Sequence, residues 1–164
     1  LDFFAPGHND IFTSSDGRMF VVCHNRTKFK DVHRHYLFVG LAAYNGAGQL
    51  VFSLNRYAGE RLRPVSAEEL CGGYSFIRLT AENETPVYAE GGLLFSRGGE
   101  VLLHGERVGE WTLYAENLVD FTFRGSLYRG AAMPAWLERE GRGGITVSAV
   151  SAEGFPLYLN GARA

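Results

Sequence analysis

Glycine constrains this chain more than any other residue type. Its 164 residues include 21 glycines, several in adjacent pairs, and they separate short apolar runs instead of interrupting long ones. A helical core tolerates few such breaks, because a glycine in a helix interior costs about 1 kcal/mol relative to alanine. Short strands joined by tight turns require them. Aromatic residues, at 13%, add side chains that suit a pleated surface. The pattern predicts an all-β protein.

Residues 19–24 form a compact apolar run after the turn signal Ser14-Ser15-Asp16-Gly17, as a buried strand would, and residues 11–13 supply its hairpin partner. Residues 36–44, the turn Asn45-Gly46-Ala47-Gly48 and residues 49–54 add two more strands. Four short strands linked by hairpins have the shape of one propeller blade, and a lone blade cannot cover both its faces. Residues 1 to about 60 therefore call for a partner surface. The chain opens on Leu1-Asp2-Phe3-Phe4, with neither Met nor a polar lead-in, and reads as a segment of a longer protein.

Residues 61–69 carry Pro64 and the run Ser66-Ala67-Glu68-Glu69, which suits one capped helical turn or a linker. The boundary between two domains, 1–62 and 63–164, is placed here. Beyond it lie nine strand candidates, at residues 73–79, 86–90, 92–96, 101–104, 110–114, 118–123, 126–132, 145–150 and 156–159. So many strands in so short a segment predict a small barrel or sandwich. Alternation is clearest in residues 118–123, where Val119, Phe121 and Phe123 are expected to face the core, Asp120 and Thr122 the solvent. Residues 134–140 suggest a helical turn that the glycine-rich residues 141–144 end.

The charge balance is close, with 16 Lys and Arg against 18 Asp and Glu. No broad basic surface follows, so nucleic acid is not an expected partner. No apolar run approaches the roughly 20 residues of a membrane helix, and no membrane partner is expected. Cys23 and Cys71 form no disulfide framework and are expected as buried thiols.

Few residues offer chemistry. Asp10, Asp16, Asp31 and Asp120 are the candidate carboxylates, but Asp16 sits in a turn and Asp31 in a polar loop, where structural roles suit them. His33 and His35 form a His-x-His pair without a third ligand nearby in sequence, a weak metal signal. His24 ends a buried strand, and His104 precedes a glycine turn. Trp111, Tyr114, Tyr128 and Trp136 suit either a sugar-stacking platform or core packing.

Two motifs and a distributed set of segments carry a resemblance. Ala5-Pro6-Gly7-His8-Asn9-Asp10-Ile11-Phe12, followed by Asp16-Gly17 and the strand at 19–24, resembles the Pro-Gly-His-Asn motif that opens the final propeller blade in glycoside hydrolase family 43. Arg56-Tyr57-Ala58-Gly59-Glu60 is similar to the motif with which arabinanases of that family finish the propeller. Gly72-Gly73-Tyr74, Gly109-Glu110-Trp111-Thr112-Leu113, the run from Phe121 through Arg129-Gly130, and Phe155-Pro156-Leu157-Tyr158 are similar in spacing to the lipocalin-like domain that follows. Four positions depart from the pattern: Ala5 stands for Gly, Gly40 for an expected His, and Gln49-Leu50 for Trp-Pro.

The resemblance implies the final blade of a five-bladed β-propeller followed by a small antiparallel, lipocalin-like β-barrel. It implies the C-terminal portion of an arabinan-degrading hydrolase that cleaves α-1,5-L-arabinofuranosidic bonds with inversion, as an endo-arabinanase, an exo-acting enzyme or an arabinofuranosidase. An acid and a base carboxylate roughly 6.5–9.5 Å apart perform such chemistry, and in the family they belong to earlier blades, so no catalytic residue is assigned here. His8 matches a family His that points into the central channel and helps to hold a hydrated calcium or sodium ion. The implied partners are the N-terminal catalytic part of the enzyme, as a separate chain, and arabinan or arabino-oligosaccharide. Secretion or a periplasmic location is compatible with such a substrate. A stand-alone carbohydrate-binding module and a lipocalin-like binder of a small apolar ligand are the alternatives, and neither accounts for a blade that opens on Pro-Gly-His-Asn.

Overall fold

The structure, a computed structural model, describes residues 3–29, 32–78 and 90–162. Strands β1 (Phe3–Thr13), β2 (Met19–Phe29), β3 (Val32–Tyr44) and β4 (Leu50–Phe52) pair antiparallel, in chain order, as a four-stranded sheet. Strand β1 is longer than the hairpin partner expected at residues 11–13. The stretch Pro6-Gly7-His8-Asn9 is absorbed into β1 through two register shifts, between Phe4 and Gly7 and between Gly7 and Asp10. Bulges let pairing with β2 continue on both sides.

A single helical turn, α1 (Ala67–Leu70), follows the sheet. Ser66 accepts from the amide of Glu69 while the Glu69 carboxylate accepts from the amide of Ser66, a reciprocal capping box. Eight strands then form a closed antiparallel barrel: β5 (Gly72–Arg78), β6 (Glu90–Phe95), β7 (Glu100–Leu103), β8 (Glu106–Tyr114), β9 (Leu118–Phe123), β10 (Ser126–Leu137), β11 (Arg142–Ser151) and β12 (Pro156–Ala162). Each pairs with its chain neighbour, and β12 closes on β5 from Leu157↔Arg78 to Ala162↔Gly73. Closure removes the free edges that an open sheet exposes. Of the strand expected at residues 86–90, residues 86–89 lie outside the described residues and Glu90 begins β6.

The expected alternation of β9 holds, with Val119, Phe121 and Phe123 buried. Aromatic rings fill the barrel. Phe95 lies 5.2 Å from Tyr74, 5.4 Å from Trp111 and 5.5 Å from Phe121, and Phe121 stacks on Tyr128. At these separations rings attract one another beyond the area they bury. Leu70 of α1 and Val65 of the preceding linker join the same core.

The helical turn expected at residues 134–140 is not formed, because β10 continues to Leu137 and pairs with β11 through Pro134↔Ile145 and Trp136↔Gly143. Pro134 fits a strand here for a local reason. On β10 the amides of Ala132 and Trp136 point to the β9 side, where they donate to the oxygen of Asn117 and to Glu60. Strand β9 pairs with β10 only as far as Ala131. The missing N–H of Pro134 thus falls where no ladder bond is lost.

A second core joins the sheet to the barrel. Phe20, Leu41, Ala43 and Val51 share one sheet face and pack on Ala131 and Met133 of β10. Ser148 donates to the oxygen of Phe52 at 2.6 Å, and Asn55 donates to Asn160 at 2.8 Å. The barrel covers part of the surface for which the sequence called for a partner. Ile11, Phe12 and Leu37 stay 50%, 47% and 69% exposed.

Candidate functional site

The irregular part of β1 carries the residue singled out from sequence. His8 lies within the second register shift, between Gly7 and Asp10, at φ 44°, a left-handed conformation uncommon for a residue with a Cβ. Bulges re-aim side chains and recur beside functional sites. Gly7 is opposite His24 in register, and a Cβ on Gly7 would come within 3.0 Å of the His24 ring. The absence of a side chain at 7 is what lets the His24 imidazole lie against β1.

Three imidazoles form a row across β1, β2 and β3. The His8 and His24 ring centroids are 5.4 Å apart, and His24 stacks on His35 at 4.9 Å. His24 pairs with Leu37, which places His35, two residues earlier, on the same face. In the sequence these histidines stand apart from one another. The row depends on the β2–β3 register, and the only local signal was that 24 ends one expected strand and 35 directly precedes the next. Of His33 only the main chain is described.

Among the described residues, no group of three or more His, Cys, Asp or Glu side chains is placed to hold a metal ion. Calcium takes about six to eight oxygen ligands, whereas the groups around His8 offer imidazole nitrogen. The described donors by themselves do not complete a calcium cage.

The candidate carboxylates are committed locally. Asp10 accepts from the amide of Ile11 at 2.7 Å. Asp16 accepts from Ser14 and lies 2.7 Å from the Arg18 guanidinium, and these bonds hold its carboxyl well below the usual range. Asp120 accepts from the Tyr114 hydroxyl at 3.0 Å and faces Arg129 at 3.7 Å. Asp31 lies outside the described residues. Cys23 and Cys71 are both free thiols, Cys23 buried and Cys71 half-buried, and burial raises both pKa values.

The four candidate platform aromatics divide. Trp111 and Tyr128 belong to the barrel core, and the Trp111 indole donates to the oxygen of Ser96 at 3.0 Å. Tyr114 and Trp136 are exposed, at 36% and 41%. His104 is exposed in a turn, as expected.

Residues 54–159 match the family GH43_C, a C-terminal lipocalin-like domain. Over 157 residues the chain is 25% identical to extracellular endo-alpha-(1->5)-L-arabinanase 2 of Bacillus subtilis (strain 168), covering 93% of this chain and 32% of that protein. Its fold is similar to that of the family 43 glycoside hydrolase YxiA from Bacillus licheniformis, with a TM-score of 0.86 and 24% identity over 99% of this chain and 36% of the other. It is also similar to an endo-1,5-alpha-L-arabinanase from Thermotoga petrophila RKU-1, with a TM-score of 0.81 and 21% identity over 96% of this chain and 35% of the other. The chain spans about a third of the length of these relatives.

Proposed function

Because this chain belongs to GH43_C, the C-terminal lipocalin-like domain family of glycoside hydrolase family 43, we propose that it is the C-terminal portion of an arabinan-degrading hydrolase. Residues 1–62 act as the last blade of the catalytic propeller, and residues 63–164 as the accessory barrel. The observation that carries this reading is the extent of the fold match, which takes in the four-stranded sheet as well as the barrel, 99% of the chain. A stand-alone barrel module would have no use for that sheet. The exposed Ile11 on one face of the sheet, and Phe12 and Leu37 on the other, suit surfaces that the preceding part of a propeller covers.

In this reading the bond cleaved is α-1,5-L-arabinofuranosidic, with inversion. The acid and base carboxylates come from the remainder of the enzyme, and the 164-residue chain is inactive by itself. His8 lends one imidazole to a calcium or sodium ion whose other ligands are water or groups outside this chain.

The test is made on the natural product. Intact mass and denaturing electrophoresis identify every polypeptide present, and release of reducing ends from debranched arabinan measures activity. The reading expects activity only where this chain accompanies a catalytic part of roughly 30–40 kDa, the size of four further blades at typical repeat lengths. A solitary, folded 18.1 kDa chain with no catalytic companion would overturn it.

A further inference from the structure

The β10–β11 hairpin runs past the barrel body, beyond the last pairs with its neighbours, Ala131↔Leu118 and Thr146↔Asn160. Trp136 stands on this overhang. Its position continues the series Tyr128 and Ala132 that faces the core, but at the rim the same face opens to solvent and leaves the indole 41% exposed. Directly opposite in register is Gly143, where an added Cβ would meet nothing within 4 Å. The space over Gly143, on the face it shares with Trp136, is thus open. The other wall comes from the linker and α1. Glu60 fastens the linker to the hairpin by accepting from the amides of Trp136 at 2.6 Å and Ala58 at 2.8 Å. Arg63 holds Glu69 through bonds of 2.6 and 3.1 Å.

Between these walls lies a groove of about 660 Å³, within the roughly 300–1,000 Å³ common for small-ligand sites. Its charged lining is Glu60 and Glu69 against Arg61 and Arg63, which balances. A balanced groove gives no net pull on an anion, and charged walls do not suit a purely apolar ligand. An aromatic face flanked by hydrogen-bond donors and acceptors suits a ligand with one C–H face and several hydroxyls. We infer that the groove between Trp136 and the Arg63–Glu69 pair is a binding site for a neutral oligosaccharide, whose sugar ring stacks on the indole while its hydroxyls bond to the charged groups. That the sugar is arabinan rests on the function proposed above.

The test is native affinity electrophoresis of the full chain in gels containing debranched arabinan, β-1,4-galactan or polygalacturonate. Wild type is expected to be retarded by arabinan. Trp136→Ala removes the stacking face, and Gly143→Gln fills the groove from a position with room for a side chain. Each is expected to weaken retardation at least ten-fold, while Tyr114→Phe, at an exposed aromatic elsewhere, leaves it unchanged. Thermal melts of each variant separate lost binding from lost folding, and Gly143→Gln carries the result if Trp136→Ala unfolds. Retardation by galactan and not arabinan keeps the neutral-sugar site and removes the arabinan assignment. Retardation by polygalacturonate alone, by none of the three, or unchanged in both groove variants overturns the proposal.

Discussion

The side-chain amide of Asn45, in the turn between β3 and β4, donates to the main-chain oxygen of Arg129 on β10 at 3.0 Å. The same side chain accepts from the amides of Ala47 and Gln49 at 3.0 and 2.9 Å, and its own amide also donates to the Gln49 side chain at 3.0 Å. One buried residue thereby shapes a sheet hairpin and ties it to the barrel. Removing it leaves buried groups without partners, a cost of about 1–3 kcal/mol. Asn45→Ala is expected to lose stability in that range, read as a lower denaturant midpoint at unchanged slope. A loss within error would mean that water replaces every bond.

Phe95 is the aromatic on which the barrel interior converges, in ring contact with Tyr74, Trp111 and Phe121 and with no exposed surface. Phe95→Ala removes a large buried ring from a core that can collapse only partly, so a loss of about 3–5 kcal/mol is expected. Equilibrium unfolding checks it. A cost below about 1 kcal/mol would show a far looser interior than these ring contacts describe.

Gly40 stands where the family resemblance leads to a histidine. A Cβ there would come within 2.6 Å of the main-chain oxygen of Ser53 and 2.9 Å of the Phe38 ring. The main-chain oxygen cannot swing aside as a side-chain end would. Gly40→Ala should therefore destabilise by about 1–3 kcal/mol, with Gly40→His worse in the same thermal-melt series. Equal Tm values for the three proteins would show that β3 and β4 separate freely at this point.

Glu69 accepts from Arg63 and, second in weight, from the amide of Ser66, which together hold its pKa at about 2 against an ordinary 4.5. A carboxylate whose pKa is lower folded than unfolded contributes stability that is full above the unfolded value and fades as pH falls through the folded one. From pH 4.5 down to about 2, wild-type Tm is expected to fall more steeply than that of Glu69→Gln. Parallel profiles would remove any role for the Arg63–Glu69 pair in acid stability.

Local chemistry made much of the fold legible. The Ser66 to Glu69 cap, the alternation of β9 and the turns at Asp16-Gly17 and Asn45 to Gly48 each follow from residues a few positions apart, and the structure has all of them. Residues 134–140 misled for the same reason. A proline followed by helix-forming residues reads as a turn, yet pairing with β11 overrides propensity where Pro134 has no ladder bond to lose. At the candidate site the motif singled out His8, but the row His8, His24 and His35 needed a strand register to become visible.

By itself, then, the sequence determined an all-β chain, its glycine turns, the capping signal from Ser66 to Glu69 and its family motifs, because these depend on backbone preference and neighbouring side chains. The tertiary structure alone decided that β12 closes on β5, that the barrel covers a face of the sheet, and that of two tryptophans Trp111 is core while Trp136 stands over a groove. Alternation along a strand says which side a residue faces. What lies on that side depends on segments far along the chain.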